Sequence, residues 1–164
     1  MIKAIIFDWG DTVMRDFPGT PGPMAYWEKV EWIPGVEEVL KTLGKNYQCA
    51  IATNAGESNT SLMKKALERI NALQYFSFFV SSKDLGVEKP SPDFFKKVAA
   101  GLHLETSECI HIGNIYEKDI TGAKEAGMKT VFFNEKNKQG DYPSADKIII
   151  SMSELTEAIR ELDR

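Results

Sequence analysis

Six short apolar runs alternate with stretches of helical apolar spacing along this 164-residue chain, and few folds accommodate that alternation. The runs cover residues 1–7, 48–52, 76–80, 109–112, 129–133 and 147–150. Most are continuous rather than alternating, as expected of strands buried on both faces of a parallel sheet. Between them, residues 36–43, 58–73, 94–102, 120–126 and 153–162 repeat apolar side chains every three or four positions, as Val36, Val39, Leu40 and Leu43 do. The pattern predicts an α/β fold: a Rossmann-like, mostly parallel sheet with helices on both faces. The length suits a single domain, residues 1–164, large enough to bury a full core.

Local signals punctuate these elements. Pro34-Gly35 opens the first helix, Ser91 and Pro92 fit the start of the third, Gly127 closes the fourth, and Ser153 is the expected cap of the last. Residues 81–88 read as a polar loop. Residues 14–34 stand apart, because Pro18, Gly19, Pro21, Gly22, Pro23 and Pro34 forbid one long helix. They are expected to form an ordered flap above the end of the first strand, pinned or walled by Trp27 and Trp32; long loops in compact domains are usually functional.

Composition narrows the partners. A net charge of −4 without any basic stripe argues against nucleic acid and anionic membranes. There is no 18-residue apolar run, and the N-terminal segment enters a strand rather than a leader, so a cytoplasmic location is expected. Cys49 and Cys109 lie inside apolar runs and read as buried thiols, not as a disulfide or zinc pair.

The polar residues that end the strands carry the chemistry. In a parallel sheet all such ends share one edge, where ligands bind, so Asp8, Thr53, Asn114 and Asp119 can meet despite their separation in sequence. Asp8 can ligate a hard cation and attack phosphorus, or merely cap a turn. Thr53 and Asn54 offer a hydroxyl and an amide to phosphate oxygens, or cap the following helix. Lys89, stiffened by Pro90 and Pro92, can hold the attacking carboxylate and neutralise developing phosphate charge.

These residues bear a family resemblance. Asp8-Trp9-Gly10-Asp11-Thr12-Val13, the strand ending in Thr53, Lys89-Pro90, and His111-Ile112-Gly113-Asn114 through Asp119 and on to Met128 resemble the four motifs of the haloacid dehalogenase superfamily, in order. The resemblance spans about residues 2 to 135. It implies Mg²⁺-dependent phosphoryl transfer: Asp8 as the nucleophile that forms an aspartyl-phosphate, Thr53 and Asn54 on the phosphoryl group, and Lys89 stabilising charge. The implied metal set is Asp8, Gly10, Asn114 and Asp119, with Glu117 a weaker candidate. The expected partner is a small phosphorylated substrate or a phosphorylated macromolecule.

Two positions depart from the family pattern. Gly10 stands where family phosphatases usually carry a second Asp that protonates the leaving group; Asp11, one residue later, would have to reach it from a distorted turn. Losing general acid/base help typically costs about 10² to 10⁴ in rate. Asn114 replaces a metal-binding Asp, keeping a carbonyl oxygen but losing a charge, so weaker Mg²⁺ binding is expected. The gaps between motifs leave no room for a separate cap domain, and capless relatives act on larger substrates or close their sites by homo-oligomerising. The leading expectation is a phosphomonoesterase of modest activity. The alternatives are a lapsed member that binds a phosphorylated ligand or protein, and a metal-independent dehalogenase.

Overall fold

The computed structural model describes residues 1–164. Six parallel strands form one sheet: β1 (Ala4–Phe7), β2 (Gln48–Thr53), β3 (Phe78–Ser81), β4 (Cys109–Gly113), β5 (Lys129–Phe133) and β6 (Lys147–Ile149). Their spatial order is β3-β2-β1-β4-β5-β6, the Rossmann arrangement. Strand order reverses between β1 and β4, so the ends of these two central strands flank the crevice in which such sheets bind ligands.

Period-two alternation divides β1 between two cores. Ile5 and Phe7 face the larger core, with α1 (Val36–Leu43), α2 (Thr60–Arg69) and α6 (Leu155–Leu162). Ala4 and Ile6 face the other, with α4 (Pro92–Gly101) and α5 (Thr121–Glu125). All four β1 residues are buried, which explains the continuous apolar run. Helices thus cover both faces, and no separate cap interrupts them.

Several boundaries differ from the sequence expectation. The helix foreseen over 58–73 begins at Thr60, because the Asn59 side chain accepts from Leu62 N and fixes the start. The polar loop 81–88 contains a one-turn helix, α3 (Ser82–Leu85), held by reciprocal bonds between Ser81 and Asp84. Ser91 precedes α4 without making a side-chain cap bond. The last cap is Ser151, not Ser153: Ser151 and Glu154 form the capping box, one turn ahead of α6. The helix expected from residue 120 is α5, from Thr121, and a wide π-type turn, Tyr116–Ile120, precedes it.

The flap, residues 14–34, is ordered by specific bonds. Met14 and Trp32 form an antiparallel bridge, and Trp27 Nε1 donates to Gly22 O at 2.8 Å. Arg69 of α2 donates to the carbonyls of Ala25, Trp27 and Glu28. Trp32 turns away and donates to Ile70 O, so only Trp27 reaches the sheet edge as a wall.

Candidate active site

Asp8 continues the β1–β4 ladder by donating its N–H to Ile112 O, so its carboxylate projects from the carboxyl end of the central strand. It is 7% exposed, yet it lines a cleft of about 310 Å³ with Thr53, Asn54, Lys89, Asp119 and the flap residues Met24 and Trp27. Lys89 Nζ bridges two buried carboxylates, 2.7 Å from Asp8 Oδ1 and 2.6 Å from Asp119 Oδ1. Thr53 Oγ1 donates to the same Asp8 oxygen at 3.2 Å. Oδ1 is therefore held by two donors.

Asn54 does something the sequence did not suggest. Its Nδ2 donates to Lys89 O at 3.1 Å and its Oδ1 accepts from Lys89 N at 2.8 Å, a two-point clamp on the Lys89 backbone. The amide that was expected on phosphate is thus committed to positioning the ammonium. Thr53, likewise, spends its hydroxyl proton on Asp8.

Asp119 is brought in by the π-type turn, where its N–H bonds Ile115 O at 2.8 Å. Wide turns of this kind recur at functional sites. A Cβ on Gly113 would lie 2.2 Å from Asp119 Cγ, so only glycine leaves room for this carboxylate. Its Oδ1 takes Lys89 and, at 3.4 Å, His111 Nε2, while Oδ2 accepts from Ile115 N at 3.0 Å. Burial lowers the His111 pKa, and the Asp119 oxygen beside Nε2 is the acceptor that a ring N–H would meet. In the structure Asp119 is thus the buried partner of Lys89, and Asn114, Asp8 Oδ2 and Gly10 O cluster apart from it. Glu117 is exposed on the neighbouring surface.

Charge in this cluster is unbalanced. Burial and the charge of Asp119 together raise the Asp8 pKa despite Lys89. Burial would also raise Asp119, but Lys89 and His111 outweigh it and hold that carboxyl below the usual range. Burial opposes the Lys89 charge, and the two carboxylates overcome it. One ammonium thus serves two buried carboxylates, and the surplus negative charge falls on Asp8.

The donor atoms fit a hard cation at that surplus. The Asn114 amide has Asp8 Oδ2 at 3.2 Å, Gly10 O at 3.3 Å and Thr12 Oγ1 at 3.3 Å. With its oxygen turned inward, Asn114 joins Asp8 Oδ2 and Gly10 O in a set of converging oxygens whose repulsion a cation would relieve. Metal–oxygen bonds of about 2.1 Å at right angles put neighbouring oxygens about 3.0 Å apart, close to this spacing. With its nitrogen inward, the amide instead donates to the same oxygens and satisfies them itself. No three His, Cys, Asp or Glu side chains converge, so the set depends on neutral oxygens.

Asp11 has the distorted backbone expected of it, with φ +54°. Its carboxylate, however, accepts from Asp16 N at 3.0 Å and faces Arg15 at 3.5 Å, lining a second cavity of about 430 Å³ that does not include Asp8. The structure does not bring Asp11 and Asp8 to one cavity. Among the residues that sequence reasoning passed over, Trp9, Asp16, Glu57 and Lys118 line the Asp8 cleft. Trp9 adjoins the nucleophile in sequence; Asp16 and Lys118 had no such signal.

Fold and site together define an α/β protein with a carboxylate–ammonium centre at the switch point of a Rossmann-like sheet. The family profile of haloacid dehalogenase-like hydrolases matches residues 24–133, a stretch that holds Thr53, Lys89, Asn114 and Asp119. The chain belongs to that family. It is 32% identical over 75% of its length to a ribulose-1,5-bisphosphate 5-phosphatase of Halopiger xanaduensis, and 28% identical over 93% to a glyceraldehyde 3-phosphate phosphatase of Methanopyrus kandleri. The matches span 51% and 71% of those two proteins. A crystal structure of an uncharacterized protein from Listeria monocytogenes shares the fold, with a TM-score of 0.86, 22% identity and 99% of each chain covered.

Proposed function

We propose that the chain is a phosphomonoesterase that attacks the phosphorus of a small phosphorylated substrate with Asp8, through an aspartyl-phosphate, with Mg²⁺ as cofactor. The observation that carries this reading is the arrangement of Asp8: a buried carboxylate that faces an open cleft while one of its oxygens is fixed by Lys89 and Thr53. A nucleophile needs that combination of fixed geometry and access. Mg²⁺ held by Asp8, the Gly10 carbonyl and Asn114 would supply the positive charge that lets one anion approach another.

The chain's own residues do the rest. Lys89 orients Asp8 and offsets charge on the phosphoryl oxygens, and Asn54 keeps Lys89 in place. Met24 and Trp27 exclude water from one side of the cleft, and Lys118 adds a cation to its lining. The two adjoining cavities, about 310 and 430 Å³, match a small ligand. The sugar-phosphate substrates named for the Halopiger and Methanopyrus relatives point the same way. Action in the cytoplasm belongs to the same proposal, and no helix is long and apolar enough to cross a membrane.

The test is hydrolysis of p-nitrophenyl phosphate by wild type and Asp8→Asn, with Mg²⁺ and with chelator. Turnover that needs both Mg²⁺ and Asp8 is expected. Turnover that survives chelation or the substitution refutes the mechanism.

A further inference from the structure

Gly10 leaves the departing oxygen without an acid from its own strand end, and Asp11 turns away. The space beside Gly10 is nevertheless occupied by a carboxylate residue. A Cβ built on Gly10 would lie 3.8 Å from Asp16 Cβ, an ordinary packing contact, so Asp16 adjoins the space that a side chain on residue 10 would enter. Its backbone is tied there by the bond from Asp16 N to Asp11 Oδ1. Asp11 thus serves as an anchor for residue 16.

The location relative to both cavities is more telling. Four acidic residues line the Asp8 cleft, Asp8, Asp16, Glu57 and Asp119, and four line the second cavity, Asp11, Asp16, Glu117 and Glu135. Asp16 is the one acidic residue common to both. The second cavity carries the aromatic rings of Tyr116, Phe132 and Tyr142, and only Asp16 and Ile115 line both spaces. A phosphate ester with its phosphorus at Asp8 and its alcohol portion in the second cavity would place the bridging oxygen at their junction.

We infer that Asp16 is the residue that protonates the leaving oxygen, replacing from six positions further along the chain the acid missing at residue 10. The assignment rests on the phosphatase reading above. As the Asp8 carboxylate bonds to phosphorus and the bridging P–O bond breaks, that oxygen takes the proton from the Asp16 carboxyl and leaves as the alcohol. Water then attacks phosphorus, gives its proton to the Asp16 carboxylate and splits the acyl-phosphate linkage. This releases phosphate and restores both aspartates.

A leaving group that departs readily as an anion needs such an acid least. We would therefore measure Asp16→Asn, Asp8→Asn and the double variant Gly10→Asp/Asp16→Asn on p-nitrophenyl phosphate and on glycerol phosphate, with Mg²⁺ present. Asp16 is exposed, so its substitution leaves the core intact. The expected loss in Asp16→Asn is about 10²-fold or more on glycerol phosphate, at least ten times the loss on the nitrophenyl ester. Turnover of glycerol phosphate is expected to recover in the double variant. Turnover that depends on Asp8 but falls equally on both esters, does not fall, or is not restored by Gly10→Asp overturns the role of Asp16 alone. Absence of turnover in wild type, or turnover indifferent to Asp8, refutes the phosphatase reading and this assignment with it.

Discussion

Lys89→Met keeps most of the apolar stem and deletes the ammonium that touches two buried carboxylates at 2.7 and 2.6 Å. Removing one partner of a buried ion pair costs about 3–5 kcal/mol, because the remaining charges stay buried. In a chain of this size 1 kcal/mol moves Tm by about 2–4 °C, so the variant should melt about 6–20 °C below wild type at pH 7. The pH dependence follows from the directions of the shifts. Burial alone would raise Asp119, but Lys89 and His111 hold it low, so its contribution is present above its unfolded value of about 4 and is lost as pH falls below it. Without Lys89 burial dominates at both Asp8 and Asp119. The native variant then takes up protons at higher pH than the unfolded chain at both carboxyls, and it gains more stability on acidification than wild type, in which Asp8 alone is raised. Thermal melts followed by circular dichroism from pH 7 down to pH 4 should show the two curves converging. A Tm loss below about 2 °C at pH 7, less than 1 kcal/mol, or a gap that stays constant to pH 4, would refute the account of this cluster.

Three further outcomes follow from the same geometry. Asn114→Asp adds a carboxylate beside Asp8 Oδ2 and Gly10 O; calorimetry should show Mg²⁺ binding tightened by about ten-fold or more, ~1.4 kcal/mol, and the metal-free protein should melt lower than wild type. An unchanged affinity would place the cation elsewhere. Gly122→Ala puts a Cβ 2.0 Å from Pro90 O and 2.8 Å from the Phe95 ring, so the turn carrying Lys89 must move. The expected cost is about 1–3 kcal/mol in stability with a fall in kcat, and a variant indistinguishable in melts and turnover would refute it. Arg69→Ala frees three flap carbonyls, and it should raise KM and speed proteolysis between residues 14 and 34, with unchanged proteolysis counting against the clamp.

The strands were legible because burial on both faces leaves a continuous apolar run, as in Ala4–Phe7 and the end of the strand over Lys129–Phe133. Helix ends were less so, since Ser151 and Ser153 are equally good caps by type and only the reach of Glu154 decides between them. At the site, Asp8 and Lys89 were visible because each ends or stiffens an element in a way that core packing does not need. The bonding of Asn54 was not, because an amide at a strand end serves a phosphate or a neighbouring backbone equally well, and only the approach of Lys89 settles which. Gly122 carried no signal at all: what makes it necessary is Pro90, 32 positions earlier in the chain.

The two departures from the family pattern act on one balance. Gly10 and Asn114 each remove a carboxylate from the neighbourhood of Asp8, where one ammonium already faces two buried carboxylates. Fewer negative charges make the metal-free site cheaper to fold, since the Asn114 amide can turn its nitrogen inward and satisfy Asp8 Oδ2 and Gly10 O. The same turn competes with cation binding, because the amide must rotate its oxygen inward before it can ligate. On the proposed reading, Asn114 trades affinity for the metal against tolerance of its absence, and with Gly10 in place of an Asp a proton donor has to come from outside the motif. Asp16, exposed at the junction of two cavities rather than packed beside Asp8, supplies a carboxylate there without adding a buried charge to the cluster.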